Sequence, residues 1–565
     1  MKKQTWVTIP LVAVLAGGAL LAGCSGDTAD NGQGAPQGGQ SSASGKPAEK
    51  KDITVSIYDR GQVAQDEGTI ENNRWTKWIN EHGPANVKFV AIPRTNPAEK
   101  INVLYASGSA PDLLFEYAPT NRNPLYDQKQ LMPLDDLIEK HSVEYKKLLQ
   151  ENPMLKKVGT KADGKLYEFG RINWVEPQRG ILIRMDWLKK LGLDIPKTTE
   201  ELYTVVKAFT DKDPDGNGAK DTFGLTLSGG ADLTMKQVFG SSNKWVVKDG
   251  ELVLNWDNRV DFFSFSKKLY DEGIIDRDFA NDKNGAKAKQ DFINGKLGIY
   301  PFLDGNTMSI LQNLVDPLKK NVASAEVAFI PYPKSKAGAF VPTLQNPVQM
   351  TAVISATAKN PAAVMKYVDF IVNGETLKNL QYGVEGTHYK MTDGNVEILD
   401  AAKYKKEVTD ITVDMRMLQN TGLSFGLGDL PIVKYKSDSR KEEYQKFYDQ
   451  FRNTYLTLDR PYPELTVSEH MPSMPKDLST AESNAEKTIG DIWLKAVVSG
   501  EKYKMDQALK DAQDVWQKSN GKGVEEWHKK WYAENKDKAF LAKDLFEVTK
   551  TQMEQYAKFA KSVSK

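Results

Sequence analysis

Residues 213–221 place oxygen-bearing side chains at alternating positions of one short segment. The run Asp213-Pro214-Asp215-Gly216-Asn217-Gly218-Ala219-Lys220-Asp221 has side-chain oxygens at positions 1, 3, 5 and 9, a glycine at position 6 and a backbone carbonyl at position 7. This alternation is typical of the first part of an EF-hand loop, where it aims hard oxygen ligands at one point. The bidentate Glu of position 12 is absent, because Gly224 stands there. We expect a structural calcium site, with a plain turn rich in Asp, Asn and Gly as the alternative.

Cys24 is the single cysteine of the chain and follows an apolar amino-terminal segment. Two lysines open the chain, and the apolar run Val7–Leu20 is too short to span a bilayer comfortably and ends in small residues, as in a secretory signal peptide. The next residues, Leu21-Ala22-Gly23-Cys24, resemble the bacterial lipobox, in which the peptide is cut before the cysteine and the thiol receives diacylglycerol. We therefore expect a lipoprotein signal peptide over residues 1–23 and lipidation of Cys24. An ordinary signal peptide with a chance cysteine is the alternative.

Residues 24–52 are rich in Gly, Ser, Gln, Ala and Pro and nearly lack large apolar side chains. Such a composition cannot bury a core, so we expect a flexible, lipid-anchored linker. It would hold the folded part at the extracellular face of a bacterial cell membrane. No other stretch of the sequence approaches the ~20 apolar residues of a membrane span.

The overall charge and composition narrow the class of protein. Lys and Arg number 76 against 75 Asp and Glu, a formal net charge of +1, which argues against a nucleic-acid-binding protein. Hydrophobic residues make up 40% and charged residues 27%, which is ordinary globular usage. A length of 565 residues is too great for one simple core, so we expect several structural units.

Short apolar strands alternate with helical segments after the linker. Thr198 and Glu201 have the spacing of a capping box and should open a helix that runs to Phe209. The alternation predicts an α/β fold with a largely parallel sheet, and the chain from about Tyr435 onwards is almost wholly helical in pattern. The other predicted helices lie at 71–82, 97–107 and 361–372, and the predicted strands at 53–58, 87–91, 112–115, 181–184, 223–227, 297–300, 326–330 and 348–355.

Several separated runs of the sequence carry a family resemblance. They are Gly108–Leu114, Leu131–Asp136, Arg184–Glu200, Phe292–Gly298 and Tyr382–Tyr389. In this order, and together with the lipobox, they resemble the family 1 extracellular solute-binding lipoproteins of carbohydrate ABC importers. The most similar branch contains receptors for alginate and other acidic oligosaccharides. The carboxy-terminal part of the chain resembles the family only loosely.

The resemblance implies a two-lobed, clam-shell, periplasmic-binding-protein-like α/β fold with a mainly helical carboxy-terminal third. We expect a first lobe of residues 53–175 plus 340–430 and a second lobe of residues 176–339 plus 431–565. The resemblance implies no catalysis. The protein would capture an oligosaccharide as a monomer and deliver it to the permease and ATPase subunits of an ABC importer, which other chains supply.

The resemblance also implies that the loop at 213–221 binds calcium. Matched residue by residue to the family's loop, the ligands would be the side chains of Asp213, Asp215, Asn217 and Asp221 and the carbonyl of Ala219. Relatives often place Glu directly after the last Asp. This chain has Thr222 there, which removes one strong carboxylate from the site.

Sugars are held by aromatic faces against C–H patches and by planar polar side chains against hydroxyls. For Arg184 an ion pair with a neighbouring carboxylate is the alternative role, and for His388 a structural hydrogen bond. If the ligand is acidic, Arg60, Arg171, Arg179 and Arg184 are the arginines whose planar forks would bind carboxylates. The candidate ligand-binding residues near predicted strand ends and loops are Tyr58, Arg60, Glu116, Trp174, Arg184, Trp245, Asp304, Gln345, Asn346, Glu385 and His388.

Two other classes of protein stay open. A secreted polysaccharide-degrading glycosidase or lyase needs only two carboxylates, or a Lys or Tyr base. The run Gly422-Leu-Ser424-Phe-Gly426 matches a nucleophile elbow, but residues 414–421 before it are polar where an elbow needs a buried strand. A peptide receptor or a sensory receptor of the same fold is the other alternative.

Overall fold

The computed structural model describes residues 49–344, 346–392, 395–420, 440–460, 474–537, 544–545 and 547–554. The strands are β1 Lys51–Asp59, β2 Ala85–Pro93, β3 Leu113–Phe115, β4 Glu168–Ile172, β5 Gly180–Arg184, β6 Phe223–Leu225, β7 Trp245–Lys248, β8 Glu251–Leu254, β9 Leu297–Phe302, β10 Val327–Phe329, β11 Val348–Ile354, β12 Tyr389–Thr392 and β13 Asn395–Ile398.

The helices cover both sheets and most of the described carboxy-terminal third. Short 3-10 turns lie at Gln65–Glu67 and Gly500–Lys502, and π turns lie at Leu311–Val315 and Lys405–Thr409. The α-helices are α1 Arg74–His82, α2 Pro97–Ala106, α3 Pro119–Asp127, α4 Asp135–His141, α5 Glu144–Glu151, α6 Pro153–Gly159, α7 Met185–Leu191, α8 Thr199–Asp211, α9 Ala231–Val238, α10 Trp256–Asp271, α11 Ala286–Ile293, α12 Thr307–Ile310, α13 Asp316–Asn321, α14 Pro361–Val372, α15 Gly374–Tyr382, α16 Ala401–Tyr404, α17 Asp410–Thr412, α18 Lys441–Tyr455, α19 Lys476–Val498, α20 Met505–Lys518 and α21 Gly521–Asn535.

The first sheet has the strand order β2-β1-β3-β11-β4. β1 runs parallel to β2 and β3, whereas β11 is antiparallel to both β3 and β4. Ile53, Val55 and Ile57 of β1 are buried, and so is Ser56 on the opposite face, as expected of a central strand covered on both sides. α1 and α14 pack against this sheet, and Asn73 caps α1 by accepting hydrogen bonds from two backbone N–H groups of its first turn.

The second sheet has the order β10-β5-β9-β6. β5 is antiparallel to β9 and β10, and only the β6–β9 pair is parallel. The prediction of a largely parallel sheet is confirmed for strand direction, because β1, β2, β3 and β4 run the same way and only β11 opposes them, while β6, β9 and β10 run the same way and only β5 opposes them. The pairs that β11 and β5 form with their neighbours are antiparallel, so both sheets are mixed. The predicted cap of α8 is present, since the Thr198 side chain accepts from the Glu201 N–H at 3.1 Å, and α8 buries Leu202, Val206 and Phe209.

In the part of the chain that the structure describes, two segments cross between the sheets, residues 173–179 and 340–347. Pro177 forms an antiparallel bridge with Leu344, and the Gln178 N–H donates to the Thr343 carbonyl at 2.8 Å. Each sheet has its own buried apolar core. The expected two-lobed α/β organisation is thus confirmed, while the exact residue bounds of the lobes stay a prediction.

The described carboxy-terminal elements are helical, as expected. α18 packs Phe447, Phe451 and Tyr455 against the second core. α19, α20 and α21 form a further core around Trp493 and Trp516, with alanines at the contacts between the helices. The β7–β8 hairpin packs against this group of helices. In the described part of the chain, no helix has the length and apolarity that crossing a bilayer would require.

Candidate functional site

Four strands of the first sheet end at one edge, and β11 begins there. The register pairs Asp59 with Pro93 at the ends of β1 and β2, Phe115 of β3 with Ala352 of β11, and Ile172 of β4 with the first residue of β11. Ligands of open α/β sheets bind beyond the carboxyl ends of the strands. We call this side the carboxyl edge. Both crossing segments leave from it, so it lies on the side of the first lobe that is connected to the second.

Aromatic and guanidinium side chains gather at the carboxyl edge. The rings of Tyr58 and Tyr117 stack with centroids 5.8 Å apart. The Arg94 guanidinium lies 4.8 Å from the centroid of Tyr58 and 5.5 Å from that of Tyr117, and the Arg171 guanidinium lies 5.8 Å from that of Tyr117. We define the Tyr117 cluster as Tyr58, Arg60, Arg94, Tyr117, Arg171 and Asp414.

Asp414 joins the two polar ends of this cluster. Its carboxylate accepts from Arg60 Nε at 2.6 Å and Nη2 at 3.0 Å, and from the Tyr117 hydroxyl at 3.1 Å. The hydrogen bond with Asp414 raises the pKa of Arg60. Burial, together with the charge of Asp414, raises the pKa of Tyr117 to about 12, so both groups keep their protons at neutral pH.

Arg171 is held without a negative partner. Its Nε and Nη2 donate to the side-chain oxygen of Gln349 at 3.1 and 2.9 Å, and none of the described carboxylates forms an ion pair with it. Burial lowers the pKa of Arg171, and the nearby charge of Arg416 adds to that effect. A guanidinium beside a neutral amide and an aromatic face keeps its charge available to a ligand.

Tyr58 and Glu116 form the buried floor of the site. The Tyr58 hydroxyl is buried and has no hydrogen-bond partner within the described residues. Burial and the nearby charge of Glu116 raise the pKa of Tyr58. Glu116 accepts from the Ala118 N–H at 2.6 Å and from Asn121 Nδ2 at 3.0 Å, so its carboxylate shapes the turn after β3.

The first crossing segment contributes Trp174 and Glu176. Trp174 is 7% exposed, and its indole N–H donates to Glu176 at 2.6 Å. Glu176 also accepts from the Tyr448 hydroxyl at 2.6 Å and from Arg452 Nη1 at 2.7 Å, both on α18. Burial raises the pKa of Glu176, against the effect of these donors. The segment is thereby tied to a helix that packs on the second core.

Two further predicted residues lie near the crossing. Asn346 is half-buried in the second crossing segment, and its side-chain oxygen accepts from the Val348 N–H at 3.0 Å. Asp304 is half-buried two residues after β9, at the end of the second sheet where Phe302 pairs with Gly180. The structure therefore brings Tyr58, Arg60 and Glu116 to the carboxyl edge. It places Asn346, Asp304 and Trp174 beside the crossing.

Other predicted ligand-binding residues do not join this group. Arg184 stands at the far end of β5 from the crossing, 1% exposed, and its guanidinium donates to Asp186 at 2.6 and 2.9 Å and to the Gly295 carbonyl. Trp245 lies in the β7–β8 hairpin, with its ring centroid 4.4 Å from that of His528. These contacts support the alternative, structural interpretation of Arg184 and Trp245.

Glu385 and His388 lie in the turn before β12. Glu385 is exposed there. His388 is 2% exposed, its Nδ1 accepts from the Val384 N–H at 2.9 Å and its Nε2 lies 3.1 Å from Glu407, so neither ring nitrogen is left for a ligand. Cys24, Gln345 and the Ser424 elbow lie outside the described residues.

The loop at 213–221 closes on itself through polar contacts. Asp213 accepts from the N–H groups of Gly216, Asn217 and Gly218 at 3.1 to 3.2 Å. The Asn217 amide donates to Asp215 at 2.8 Å and to Asp221 at 3.1 Å. These contacts connect the side chains of the four predicted ligands within one loop.

Neighbouring charges and hydrogen bonds within this loop shift the pKa values of two of the predicted ligands. Burial and the neighbouring carboxylates of Asp213 and Asp221 raise the pKa of Asp215, whereas hydrogen bonds from Lys296 and Asn217 lower that of Asp221. The Thr222 hydroxyl points into the protein and donates to the Phe209 carbonyl. The donor set fits calcium in type, although no group of three or more acidic, His or Cys side chains in the described ranges is spaced to hold a metal.

Sequence reasoning missed part of the Tyr117 cluster. Tyr117 directly follows Glu116, and Arg94 directly follows β2, so their positions just beyond strand ends could have found them. Asp414 carried no such signal, because it meets Arg60 across 354 residues of chain. Only packing brings these two together.

The comparisons with known proteins decide the family. Residues 67–375, more than half of the chain, match the family described as bacterial extracellular solute-binding protein. The chain belongs to this family. Its members and the structural neighbours are solute-binding proteins rather than enzymes.

Two curated relatives come from Bacillus subtilis strain 168. The chain is 26% identical to Lipoprotein LipO, over 69% of this chain and 74% of LipO. It is 28% identical to the polygalacturonan/rhamnogalacturonan-binding protein YtcQ, over 74% of this chain and 82% of YtcQ. A third relative, the fructooligosaccharide ABC transporter substrate-binding protein FusA of Streptococcus pneumoniae, is 32% identical over 38% of this chain and 43% of FusA.

Solved structures share the fold over most of the chain. FusA in complex with kestose is matched with a TM-score of 0.60 and 19% identity, over 86% of this chain and 100% of that one. The alginate-binding protein AlgQ2 without calcium ion is matched with a TM-score of 0.57 and 20% identity, over 86% and 98%. An EF-hand mutant of FusA with fructo-nystose is matched with a TM-score of 0.58 and 18% identity, over 86% and 100%.

Proposed function

We propose that this protein captures an oligosaccharide in the cleft between its lobes and passes it, uncleaved, to an ABC importer. The observation that carries the proposal is the Tyr117 cluster, where stacked rings bordered by arginines stand at the carboxyl edge. Aromatic faces hold sugar C–H patches, and planar polar groups hold hydroxyls. The names of YtcQ and FusA support a saccharide as the ligand.

The two lobes would hold the sugar together. Tyr58, Arg60 and Glu116 would serve the first lobe, residues 53–175 plus 340–430. Trp174 and Asn346 would line the crossing, and Asp304 would serve the second lobe, residues 176–339 plus 431–565. Contacts made by both lobes favour the closed form, which is reached by rotation about the crossing segments.

Delivery needs partners and an anchor. Cys24 would carry the lipid that keeps the protein at the extracellular face of the membrane, after removal of residues 1–23. The permease and the ATPase would be separate chains, and the receptor would act as a monomer. The family match and the name of LipO support an extracellular lipoprotein.

Calcium would serve as a structural ion in the loop at 213–221. The ligands would be the side chains of Asp213, Asp215, Asn217 and Asp221 and the carbonyl of Ala219. The ion would neutralise carboxylates that now repel one another and so stabilise the connection between α8 and β6. The solved structures of AlgQ2 without calcium ion and of an EF-hand mutant of FusA support this assignment.

Calorimetric titration with size-fractionated oligosaccharides from polygalacturonate and from inulin tests capture. We expect saturable one-to-one binding of at least one series, and recovery of the bound sugar at unchanged mass by mass spectrometry. Shorter fragments after incubation would contradict the proposal and favour a polysaccharide-degrading enzyme.

A further inference from the structure

The arginines of the carboxyl edge and the crossing differ in how they are partnered. They are Arg60, Arg94, Arg171 and Arg179, and the described acids of the same region are Asp59, Glu116, Glu176, Asp304 and Asp414. Asp414 neutralises Arg60, Glu176 accepts from Arg452, and the other three acids accept from backbone N–H groups or an amide. Among the described residues none of these acids forms an ion pair with Arg94, Arg171 or Arg179, so a carboxylate brought by a ligand would meet guanidinium groups that have no anionic partner there.

Arg171 and Arg179 are the two arginines of this region whose guanidinium groups are least satisfied by ion pairs and hydrogen bonds to the described residues. Arg171 is bound through two of its nitrogens to one neutral amide oxygen, that of Gln349. A bidentate fork prefers a carboxylate, whose two oxygens match its geometry and whose charge matches its own. Gln349 thus orients the guanidinium without satisfying its charge.

Arg179 gives stronger support for a charged ligand than Arg171 does. Its Nε and Nη1 are buried, and neither has a hydrogen-bond partner in the part of the chain that the structure describes. Buried side-chain donors are nearly always paired in folded proteins, so these two nitrogens, beside the crossing, are available to a partner beyond the described residues. Arg179 lies in the first crossing segment, between Gln178, which bonds to Thr343, and Gly180, which begins β5.

The two arginines belong to different sides of the cleft. Arg171 is on β4 of the first sheet, and Arg179 directly precedes β5 of the second. A ligand with regularly spaced carboxylates could therefore engage both lobes through its charges. Such a ligand would stabilise the closed form more than a neutral sugar of the same size, because each lobe would gain a charge-assisted contact.

We propose that the ligand is a carboxylate-bearing oligosaccharide, and that Arg171 and Arg179 bind its carboxylates. This inference rests on the proposed function, because it assigns the chemical class of the sugar captured in the same cleft. It assigns Arg171 and Arg179, rather than the ion-paired Arg60 and Arg184, as the residues that distinguish acidic from neutral sugars.

The test compares oligosaccharides that differ only in their carboxyl groups. Size-matched galacturonate and alginate oligosaccharides are titrated beside the same oligosaccharides after reduction of the carboxyl groups to alcohols, with inulin oligosaccharides as a neutral series. We expect at least tenfold tighter binding of an acidic series than of its reduced counterpart. We also expect that advantage to shrink as sodium chloride is raised, because salt screens the charges.

Variants assign the effect to the two arginines. Arg171→Gln and Arg179→Gln should each weaken acidic binding about ten- to a hundredfold, the usual loss for a hydrogen bond to a charged group. Arg179→Lys keeps the charge but loses the planar, two-pronged guanidinium, so its affinity for the acidic sugar should lie between those of the wild type and Arg179→Gln. Arg277→Gln, which changes an exposed arginine that donates to the Asp271 carbonyl, should leave binding unchanged. Circular dichroism and thermal unfolding without ligand check that each variant is folded.

The outcomes separate the two proposals. Equal binding of acidic and reduced sugars, or binding of the neutral series alone, overturns the acidic ligand and leaves oligosaccharide capture standing. Folded Arg171→Gln and Arg179→Gln variants that bind the acidic sugar as the wild type does also overturn it. Binding of none of these series, or release of fragments, contradicts capture itself and the inference with it.

Discussion

At the residue scale, the ring of Tyr117 is the centre of the site. Arg94 and Arg171 lie 5.5 and 5.8 Å from its centroid, and Tyr58 stacks on it. The face of an aromatic ring carries partial negative charge, which attracts a guanidinium without neutralising it. The ring therefore positions Arg171 and leaves its charge for a ligand. Its hydroxyl, through Asp414, also connects this region to Arg60.

Two substitutions of Tyr117 separate the ring from the hydroxyl. Tyr117→Phe keeps the stack and removes only the bond to Asp414, so we expect the Kd to stay within about threefold. Tyr117→Leu removes the aromatic face, and we expect the Kd to rise about tenfold or more, or about 1.4 kcal/mol. Calorimetric titration with the oligosaccharide series that binds in the capture experiment measures both. Equal losses in the two variants would contradict the role given to the ring.

At the scale of elements, the crossing segment is braced by the carboxy-terminal third. The Val175 N–H donates to the side-chain oxygen of Gln552 at 2.6 Å, and Gln552 Nε2 donates to the Asn173 carbonyl at 2.8 Å. Glu176 bonds to α18, which is packed into the second core. These contacts reach the hinge without entering the carboxyl edge, so they can set the equilibrium between open and closed forms separately from ligand contact.

Tyr448→Phe tests this brace by removing one donor to Glu176. We expect an apparent Kd three- to tenfold higher, because a less restrained hinge spends less time in the binding-competent arrangement. The apparent Kd equals the intrinsic Kd divided by the fraction of molecules in that arrangement. Small-angle X-ray scattering of the ligand-free variant should show a changed distribution of interatomic distances, as expected when the proportion of open and closed forms changes. Tyr270→Phe is the control, since the Tyr270 hydroxyl makes no hydrogen bond to the described residues. An unchanged Kd and scattering curve for Tyr448→Phe would show that the brace does not act on the hinge.

The loop between α8 and β6 gives a second prediction at this scale. Calcium added to chelator-treated protein should raise the Tm, because an ion that binds only the folded state stabilises it by RT ln(1 + c/Kd) at a free calcium concentration c, about 2.7 kcal/mol at a hundredfold excess over Kd. Asp213→Asn with Asp215→Asn should abolish the shift, while magnesium should give a smaller one. Affinity for sugar should change little. A Tm that is insensitive to calcium in the wild type would remove the ion from the proposal.

At the scale of the whole molecule, two separately packed lobes are joined, within the described ranges, by two crossing segments, and such connections permit hinge closure. The tether of residues 24–52 would add a second level of organisation. A flexible linker of that length would span roughly 30 Å and would keep an anchored receptor near its permease. Capture would thus depend on the fold, and delivery on the anchor as well.

Cys24→Ser separates these two requirements. In a bacterial host we expect this variant to lose labelling by radioactive palmitate and to leave the membrane fraction, while the purified protein keeps its affinity for sugar. Ser25→Ala, the neighbouring position, should keep both the label and the membrane association. Labelling of the Cys24→Ser protein would contradict lipidation at this position.

The elements that carry strong local signals were predictable from the sequence. The apolar alternation around Val55 gave β1, whose observed bounds begin two residues earlier at Lys51, and Thr198 marked the start of α8. The order of strands and helices, with the family resemblance, predicted two α/β lobes. Tyr58, Arg60 and Glu116 were predictable because side chains just beyond or at strand ends meet at one edge.

The tertiary structure alone decided which of those side chains share a site. Asp414 neutralises Arg60 and Gln349 orients Arg171, whereas Arg184 is satisfied by Asp186 at the wrong end of its strand. The reversed direction of β11 in the first sheet and of β5 in the second was likewise decided only by the tertiary structure, since each strand directly follows a segment that crosses between the lobes. The physical reason is that burial periodicity is a local property of the sequence, but pairing across hundreds of residues depends on how whole elements pack.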